Sequence, residues 1–290
     1  MPLFTVALPT RKVDRCVIST FSTIQSSLIL DAEILVGVQD IDDSDQEVLN
    51  WLSEQPATRI IQAKGSFNLS GNLNALIRES RSPLFVRMDD DDYMHPRRLK
   101  ALKAEYSICK NSAIIGQAYK VFSQAQLSRL IIPPQGSIEN KIQLLLGVPF
   151  AHPAITLNLD KIGPNPYDER QQYAQDYMLY VDTIEKGCFV GLPSIAIYYQ
   201  QSNSINEAND AKRMEQLICH ERAMLKIWSR IDKMKNHISP LTIHRLRTIL
   251  VTTEHSSLKN FSKADKEECQ QLLIQAQESL REDLLCQLEP

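Results

Sequence analysis

Short apolar runs alternate with longer stretches of helical period through the first part of the chain, the pattern produced by parallel strands joined through crossover helices. Strands are predicted near 3–8, 33–38, 58–62 and 84–88, with helices over 13–29 and 44–54 between them. The second helix opens on Ser44 with Glu47 three residues on, the spacing of a capping box, in which side chains satisfy the free amides of the first turn. Asn74 to Ser80 completes a third helix. Beyond residue 88 the rhythm becomes mixed. A helix starts near Pro96, β-like runs follow at Ala113–Val121 and Leu127–Ile132, and Pro133-Pro134-Gln135-Gly136 reads as a turn. Helices at about 138–146 and 175–186 and strands at 152–157 and 194–200 complete this part. Past residue 205 the strand signal stops, and helical stretches near 207–234, 239–255 and 263–287 remain. The chain therefore divides into an α/β domain over 1–205, with a mixed, mainly parallel sheet flanked by helices, and a helical appendage over 206–290.

Composition narrows the function more than the fold. A hydrophobic share of 43% against 23% charged excludes wholesale disorder, and a formal net charge of -3 argues against a general nucleic-acid binder. The six cysteines contain no CxxC pair, so neither a disulfide framework nor a zinc knuckle is expected, and a reducing compartment fits best. The opening apolar stretch Leu3 to Leu8 has no basic n-region, no long h-region and no small-residue cleavage site, and no window approaches the roughly 20 apolar residues of a membrane span. The expected location is cytoplasmic, extending at most to the inner face of the membrane. No glycine pair reads G-x-G, no G-K-[ST] follows a glycine loop, no G-x-S-x-G occurs, and His220-Glu221 lacks a second His. Dehydrogenase, NTPase and hydrolase chemistry are disfavoured.

The densest chemical signal is Arg87-Met88-Asp89-Asp90-Asp91-Asp92-Tyr93, directly after the apolar Leu84-Phe85-Val86. Successive carboxylates repel one another and raise one another's pKa values unless a cation neutralises them. At the carboxyl end of a parallel strand, where open α/β sheets bind ligands, such residues can hold Mg²⁺ or Mn²⁺ while substrate phosphates complete a hard-oxygen shell. A solvated acidic turn is the competing reading. An EF-hand is excluded because Met94 stands where the sixth-position Gly is required and Lys100 where the final Glu is required.

Arg87-Met88-Asp89-Asp90-Asp91-Asp92 resembles the R-M-D-A-D-D element of family 2 glycosyltransferases with the GT-A fold. Further segments agree in order: Leu8-Pro9-Thr10-Arg11, Val36-Gly37-Val38-Gln39-Asp40, Gly71-Asn72-Leu73-Asn74, and Pro149-Phe150-Ala151-His152-Pro153 followed by Tyr167-Asp168-Glu169 and Gln175-Asp176-Tyr177-Met178-Leu179. The resemblance covers about residues 3 to 205. It implies a metal-dependent, inverting transfer of a sugar from a nucleotide donor, most simply UDP-linked, to a glycan or glycolipid acceptor in bacterial surface polysaccharide or lipooligosaccharide synthesis. Under it Asp91 is the metal residue, Asp89 contacts the ribose and supports the cation, and Asp90 and Asp92 shape the loop. Pro9, Thr10, Arg11, Asp40, Asn74 and Arg87 join Asp89 and Asp90 in the nucleotide-sugar pocket. Asp176 becomes the base that takes the acceptor proton, although at the start of a predicted helix it could equally be an N-cap. His152, Tyr177 and Gln175 are candidates for the acceptor side.

The chain departs from the pattern as well. Gln39 and Ile41 replace an Asp and a Gly, Gln175 and Met178 replace acidic residues, and Tyr198-Tyr199-Gln200-Gln201 lacks the Arg and His of a late Y-R-x-H element. Two other readings therefore stand beside transfer: a non-catalytic sugar-nucleotide-binding assembly partner, and a nucleotidyltransferase. In the appendage, Arg222, Lys226, Arg230 and Lys233 recur every three or four residues, a basic face that either rests on anionic lipid or is a solvated helix surface.

Overall fold

The structure is a computed structural model and describes residues 2–62, 68–123, 126–137, 140, 143–144, 147–184 and 186–200. Strands β1 (Phe4–Thr10), β2 (Ala32–Val38), β3 (Thr58–Gln62) and β4 (Leu84–Arg87) form a parallel set in the order β3-β2-β1-β4. The sheet then turns mixed. A short β8 (Ile155–Asn158) runs antiparallel between β4 and β6 (Ser112–Ser123), and β9 (Cys188–Gln200) lies parallel to β6. Strand β5 (Tyr93–Met94) pairs antiparallel with β9, and β7 (Gln126–Ile131) folds back on β6.

Helices cover both faces. Helices α1 (Arg15–Ser27), α2 (Gln46–Ser53) and α4 (Arg98–Cys109) share one core with Phe4, Val6, Leu8, Ile34, Val36 and Val86. Helices α3 (Leu69–Glu79) and α6 (Gln175–Thr183), with the single turn α5 (Leu159–Ile162), pack on the other side against Ala7, Leu35 and Phe85. Every residue of β1 and β2 is buried, so these strands read as continuous apolar runs rather than alternating ones.

Several predicted boundaries are corrected. Ser44 does not cap α2: Asp45 Oδ1 accepts from the amides of Glu47 (3.0 Å) and Val48 (3.2 Å). Ser44 Oγ instead accepts from the Val13 amide at 2.9 Å and donates to the Asp40 carbonyl at 2.9 Å, tying two loops together. Helix α3 starts five residues before Asn74 because Asn68 caps it, accepting from the Gly71 amide at 3.0 Å. Pro153 places a 3₁₀ turn at His152–Ala154 where a strand was expected, and the strand is confined to Ile155–Asn158. Strand β9 begins at Cys188, six residues before the predicted 194. Of the predicted helix 138–146 only residues 140, 143 and 144 are described. The appendage beyond residue 205, Gln201 and the basic series Arg222, Lys226, Arg230 and Lys233 lie outside the described residues. Among the described residues no helix is long and apolar enough to cross a membrane.

Candidate active site

The carboxyl ends of β1, β2 and β4 converge. Pro9 and Thr10 close β1, and their neighbourhood is fixed from below by Asn72 of α3, whose amide donates to the carbonyls of Thr10 (3.3 Å) and Gly37 (3.0 Å). That approach requires glycine: a Cβ on Gly37 would lie 2.1 Å from Asn72 Oδ1. Arg11 and Asp40 face each other over the two strand ends as an exposed ion pair at 2.9 Å.

Strand β4 ends as the Met88 amide donates to the Ala7 carbonyl at 3.0 Å, and the four aspartates then turn out of the sheet. Helix α1 pins this turn through two threonines one helical turn apart. Thr20 Oγ1 donates to the Asp90 carbonyl at 2.8 Å, and Thr23 Oγ1 accepts from the Met94 amide at 2.9 Å. One carboxylate oxygen from each of Asp89, Asp91 and Asp92 lies within 4.8 Å of the others. Arg87 is 2% exposed and pairs with Asp89 Oδ1 at 2.5 Å. Burial works against the Arg87 charge, but Asp89 outweighs it and holds the guanidinium above its ordinary value.

One arginine does not balance four carboxylates. Burial, then Asp89, pushes Asp92 up to about 8. Burial with Asp89 and Asp90 takes Asp91 to about 6. Burial also raises Asp90, opposed chiefly by a hydrogen bond with the Thr10 side chain. A donor set made only of carboxylate oxygens, mutually repelling, suits a hard divalent cation such as Mg²⁺ or Mn²⁺. Asp89, Asp91 and Asp92 could hold it. The family resemblance assigns Asp92 to shaping the loop; the structure brings it into the same cluster.

Arg87 also acts on the charge at the head of α6. Ala174 precedes the helix in the left-handed region (φ 54°, ψ 32°), a conformation that costs an alanine on the order of 1 kcal/mol. Asp176 is the second helical residue and not the N-cap; its Oδ1 accepts from the Tyr177 amide at 2.8 Å. Burial raises the Asp176 pKa, while the Tyr177 amide and Arg87 oppose the rise. That direction moves a carboxylate toward the range in which it can accept a proton near neutral pH. His152 Nε2 lies 2.9 Å from the Tyr167 hydroxyl, and burial followed by Arg87 drives the His152 pKa well down, so the ring is neutral.

The other candidates are placed differently. Asn74 is 1% exposed and its amide is fully engaged, donating to the Tyr167 carbonyl (2.9 Å) and Glu169 (3.0 Å) and accepting from the Tyr167 amide (3.2 Å). It fixes the loop that carries Tyr167 beside Arg87. Tyr177 is buried with its hydroxyl on the Leu144 carbonyl, and Gln175 donates to the Gln172 carbonyl. Tyr199 borders the acidic turn, and burial together with Asp92, Asp89 and Asp91 raises it to about 12.

Some supporting residues escaped sequence reasoning. Asn72 stands in the quoted Gly71-Asn72-Leu73-Asn74 segment with no role of its own, and it and the pair Thr20 and Thr23 are polar positions inside apolar helical patterns, which is the available signal. Arg98 had none: it is fully buried behind the acidic turn, donating to the carbonyls of Arg87 (3.1 Å) and Ile155 (3.2 Å) and to Gln117 (3.3 Å). Burial, then Arg87, lowers its pKa to about 9.

The model of the family described as "Glycosyl transferase family 2" matches residues 6–162, more than half of the chain. The chain belongs to glycosyl transferase family 2. The match takes in the strand ends and the acidic turn and stops before α6. As a family 2 member the protein is a glycosyltransferase, and its mixed α/β sheet is that of GT-A enzymes. The fold is similar to that of S. aureus TarS 1-349 in complex with UDP, with a TM-score of 0.60 and 12% identity over 92% of this chain and 77% of that one. TarS 1-349 in complex with UDP-GlcNAc gives a TM-score of 0.57 and 12% identity over 92% and 70% of the two chains. No curated protein sequence matches the chain.

Proposed function

We propose that this glycosyltransferase moves a hexosyl or N-acetylhexosaminyl group from a UDP-sugar to a hydroxyl of a glycan or glycolipid, with inversion at the anomeric carbon, in bacterial surface polysaccharide synthesis. The observation that carries the reading is the carboxylate cluster at the end of β4, with Arg87 and Asp89 near enough to Asp176 to act on its charge. The UDP and UDP-GlcNAc complexes of the S. aureus neighbours support a uridine donor. Pro9, Thr10, Arg11 and Asp40 take the nucleotide side, with Asp90 and Arg87 beneath it. Asp91 and Asp89 hold Mn²⁺ or Mg²⁺, which when bound neutralises the negative charge developing on the departing diphosphate.

Asp176 receives the acceptor O–H proton as that oxygen forms its bond to the anomeric carbon. The bond from this carbon to the diphosphate oxygen breaks with its electron pair, and the nucleoside diphosphate leaves. Arg87 steadies both carboxylates of the pair Asp89 and Asp176. The neutral His152 with Tyr167 lines the acceptor side without adding charge, and Gln175 and Tyr177 support the helix that presents Asp176. Residues 1–205 carry this chemistry. The segment 206–290, with Arg222, Lys226, Arg230 and Lys233, supplies peripheral contact with anionic lipid at the inner membrane face, where a lipid-linked acceptor would be met.

Asp176→Asn tests the reading most directly. UDP release from UDP-sugars in the presence of Mn²⁺ and acceptor is expected to fall by about 10²–10⁴-fold, while UDP affinity by calorimetry stays at the parental level. Retained turnover would remove Asp176 from the mechanism.

A further inference from the structure

Asp92 is only 1% exposed. Its Oδ1 accepts from the Gln200 amide at 2.8 Å, and its Oδ2, buried as well, meets no donor at all among the described residues. Buried carboxylate oxygens normally have a partner, because a lone pair withdrawn from water and left unmet is unfavourable. Neither guanidinium reaches this oxygen: Arg87 pairs with Asp89 through Nη2 while its buried Nε and Nη1 meet no acceptor among the described residues, and Arg98 donates to carbonyls and to Gln117. Asp92 nonetheless contributes an oxygen to the cluster with Asp89 and Asp91, all within 4.8 Å of one another. Ligands bound at about 2.1 Å lie about 3.0 Å apart when adjacent and about 4.2 Å apart when opposite on an octahedral ion, so binding would draw the three carboxylates together by at most about 0.6–1.8 Å.

We infer that Asp92 is a third protein ligand of the divalent cation, offering Oδ2 to the ion while Oδ1 stays on the Gln200 amide. This rests on the metal-dependent reading above and extends it. The Gln200 bond orients the carboxylate from outside, as partners in the outer shell of metal sites do. Because Gln200 ends β9, the same contact ties the cation to the point where the chain leaves the described α/β domain for its carboxyl-terminal segment.

Two variants of the full chain test it by Mn²⁺ affinity, read from the electron paramagnetic resonance of free Mn²⁺ with UDP present, and by absorption with Cd²⁺. Asp92→Asn keeps an oxygen for the Gln200 amide and removes the charge, and Mn²⁺ affinity is expected to fall about tenfold or more. Asp92→Cys is expected to show a new cadmium–thiolate absorption band over the wild-type background, a signature that a loop-shaping side chain would not give. Parental Mn²⁺ affinity in folded Asp92→Asn, or no new band in Asp92→Cys, would overturn the inference while leaving the metal-dependent reading intact. A wild-type chain that binds no Mn²⁺ with or without UDP would overturn both.

Discussion

Two buried carboxylates at opposite ends of the sheet behave differently. Glu33, near the start of β2 and 8% exposed, is fully served. Its Oε1 accepts from Thr5 Oγ1 (2.8 Å) and the Arg81 amide (2.8 Å), and its Oε2 from Arg59 (3.1 Å). Asp92, just beyond β4, has one amide for two oxygens and two acidic neighbours, Asp89 and Asp91. The amino end of the sheet thus uses a carboxylate to lock strands together, and there the charge is spent. At the carboxyl end the charge is in surplus, and it is this surplus, rather than burial, that marks a place for a cation.

Asp91→Asn is expected to lower kcat/KM for sugar transfer by about 10³-fold, since the leaving diphosphate loses its neutralising partner. The same change should leave the melting temperature in the absence of cation unchanged or higher, because one repelling charge is gone. A loss of stability as large as the loss of rate would place Asp91 with Glu33 as a structural carboxylate. Glu33→Gln should do the reverse. Stability is expected to drop by about 2 kcal/mol, lowering the melting temperature by roughly 4–8 °C, as Arg59 and Thr5 lose their acceptor geometry. Turnover of the folded fraction should match the parent, measured by active-site titration.

Titration sharpens the contrast further. Asp92 is held at about 8, above its ordinary value of 3.8, so between these values the folded chain retains a proton that the unfolded chain has released. Unfolding free energy should therefore fall as pH rises through this window, by up to roughly 1.4 kcal/mol per pH unit from Asp92. Asp91 is raised in the same direction, but its side chain is only partly withdrawn from water and solvent screens its share. Melting curves without cation are expected to show lower stability near pH 8 than near pH 6. Mn²⁺ with UDP, which favours the ionised carboxylates, should give the larger thermal shift at the higher pH. A melting temperature that rises over this range would show the acidic turn to be neutralised by other means. The smallest effect belongs to Ala174→Gly. Relief of the left-handed alanine is nearly offset by the greater freedom of glycine in the unfolded chain, so the melting temperature should move by only about 2 °C.

Much of the frame around the candidate site is legible along the chain. The acidic quartet follows a strand that is buried on both faces, and such strands announce themselves as unbroken apolar runs. The end of β2 and the start of α6 were placed within a residue or two for the same reason, because periodicity is a local signal. What failed were caps and boundaries. Ser44 and Asp45 are both good N-cap residues, and the choice between them was made by the Val13 amide 31 positions away. Asn74 lies in a motif that resembles a ligand-binding one, yet its amide is filled by Tyr167 and Glu169, over 90 positions distant.

The parallel α/β core, the acidic turn after the fourth strand and the family resemblance are all written locally along the chain, because hydrophobic period and charge density act between near neighbours. Tertiary structure alone decided which carboxylates are satisfied. Glu33 is quiet because Thr5, Arg59 and Arg81 reach it from three other segments, and Asp92 is not because the backbone of β9 supplies a single amide. A hydrogen bond depends on distances of about 3 Å between groups that the chain brings together only after folding, so no local pattern encodes it.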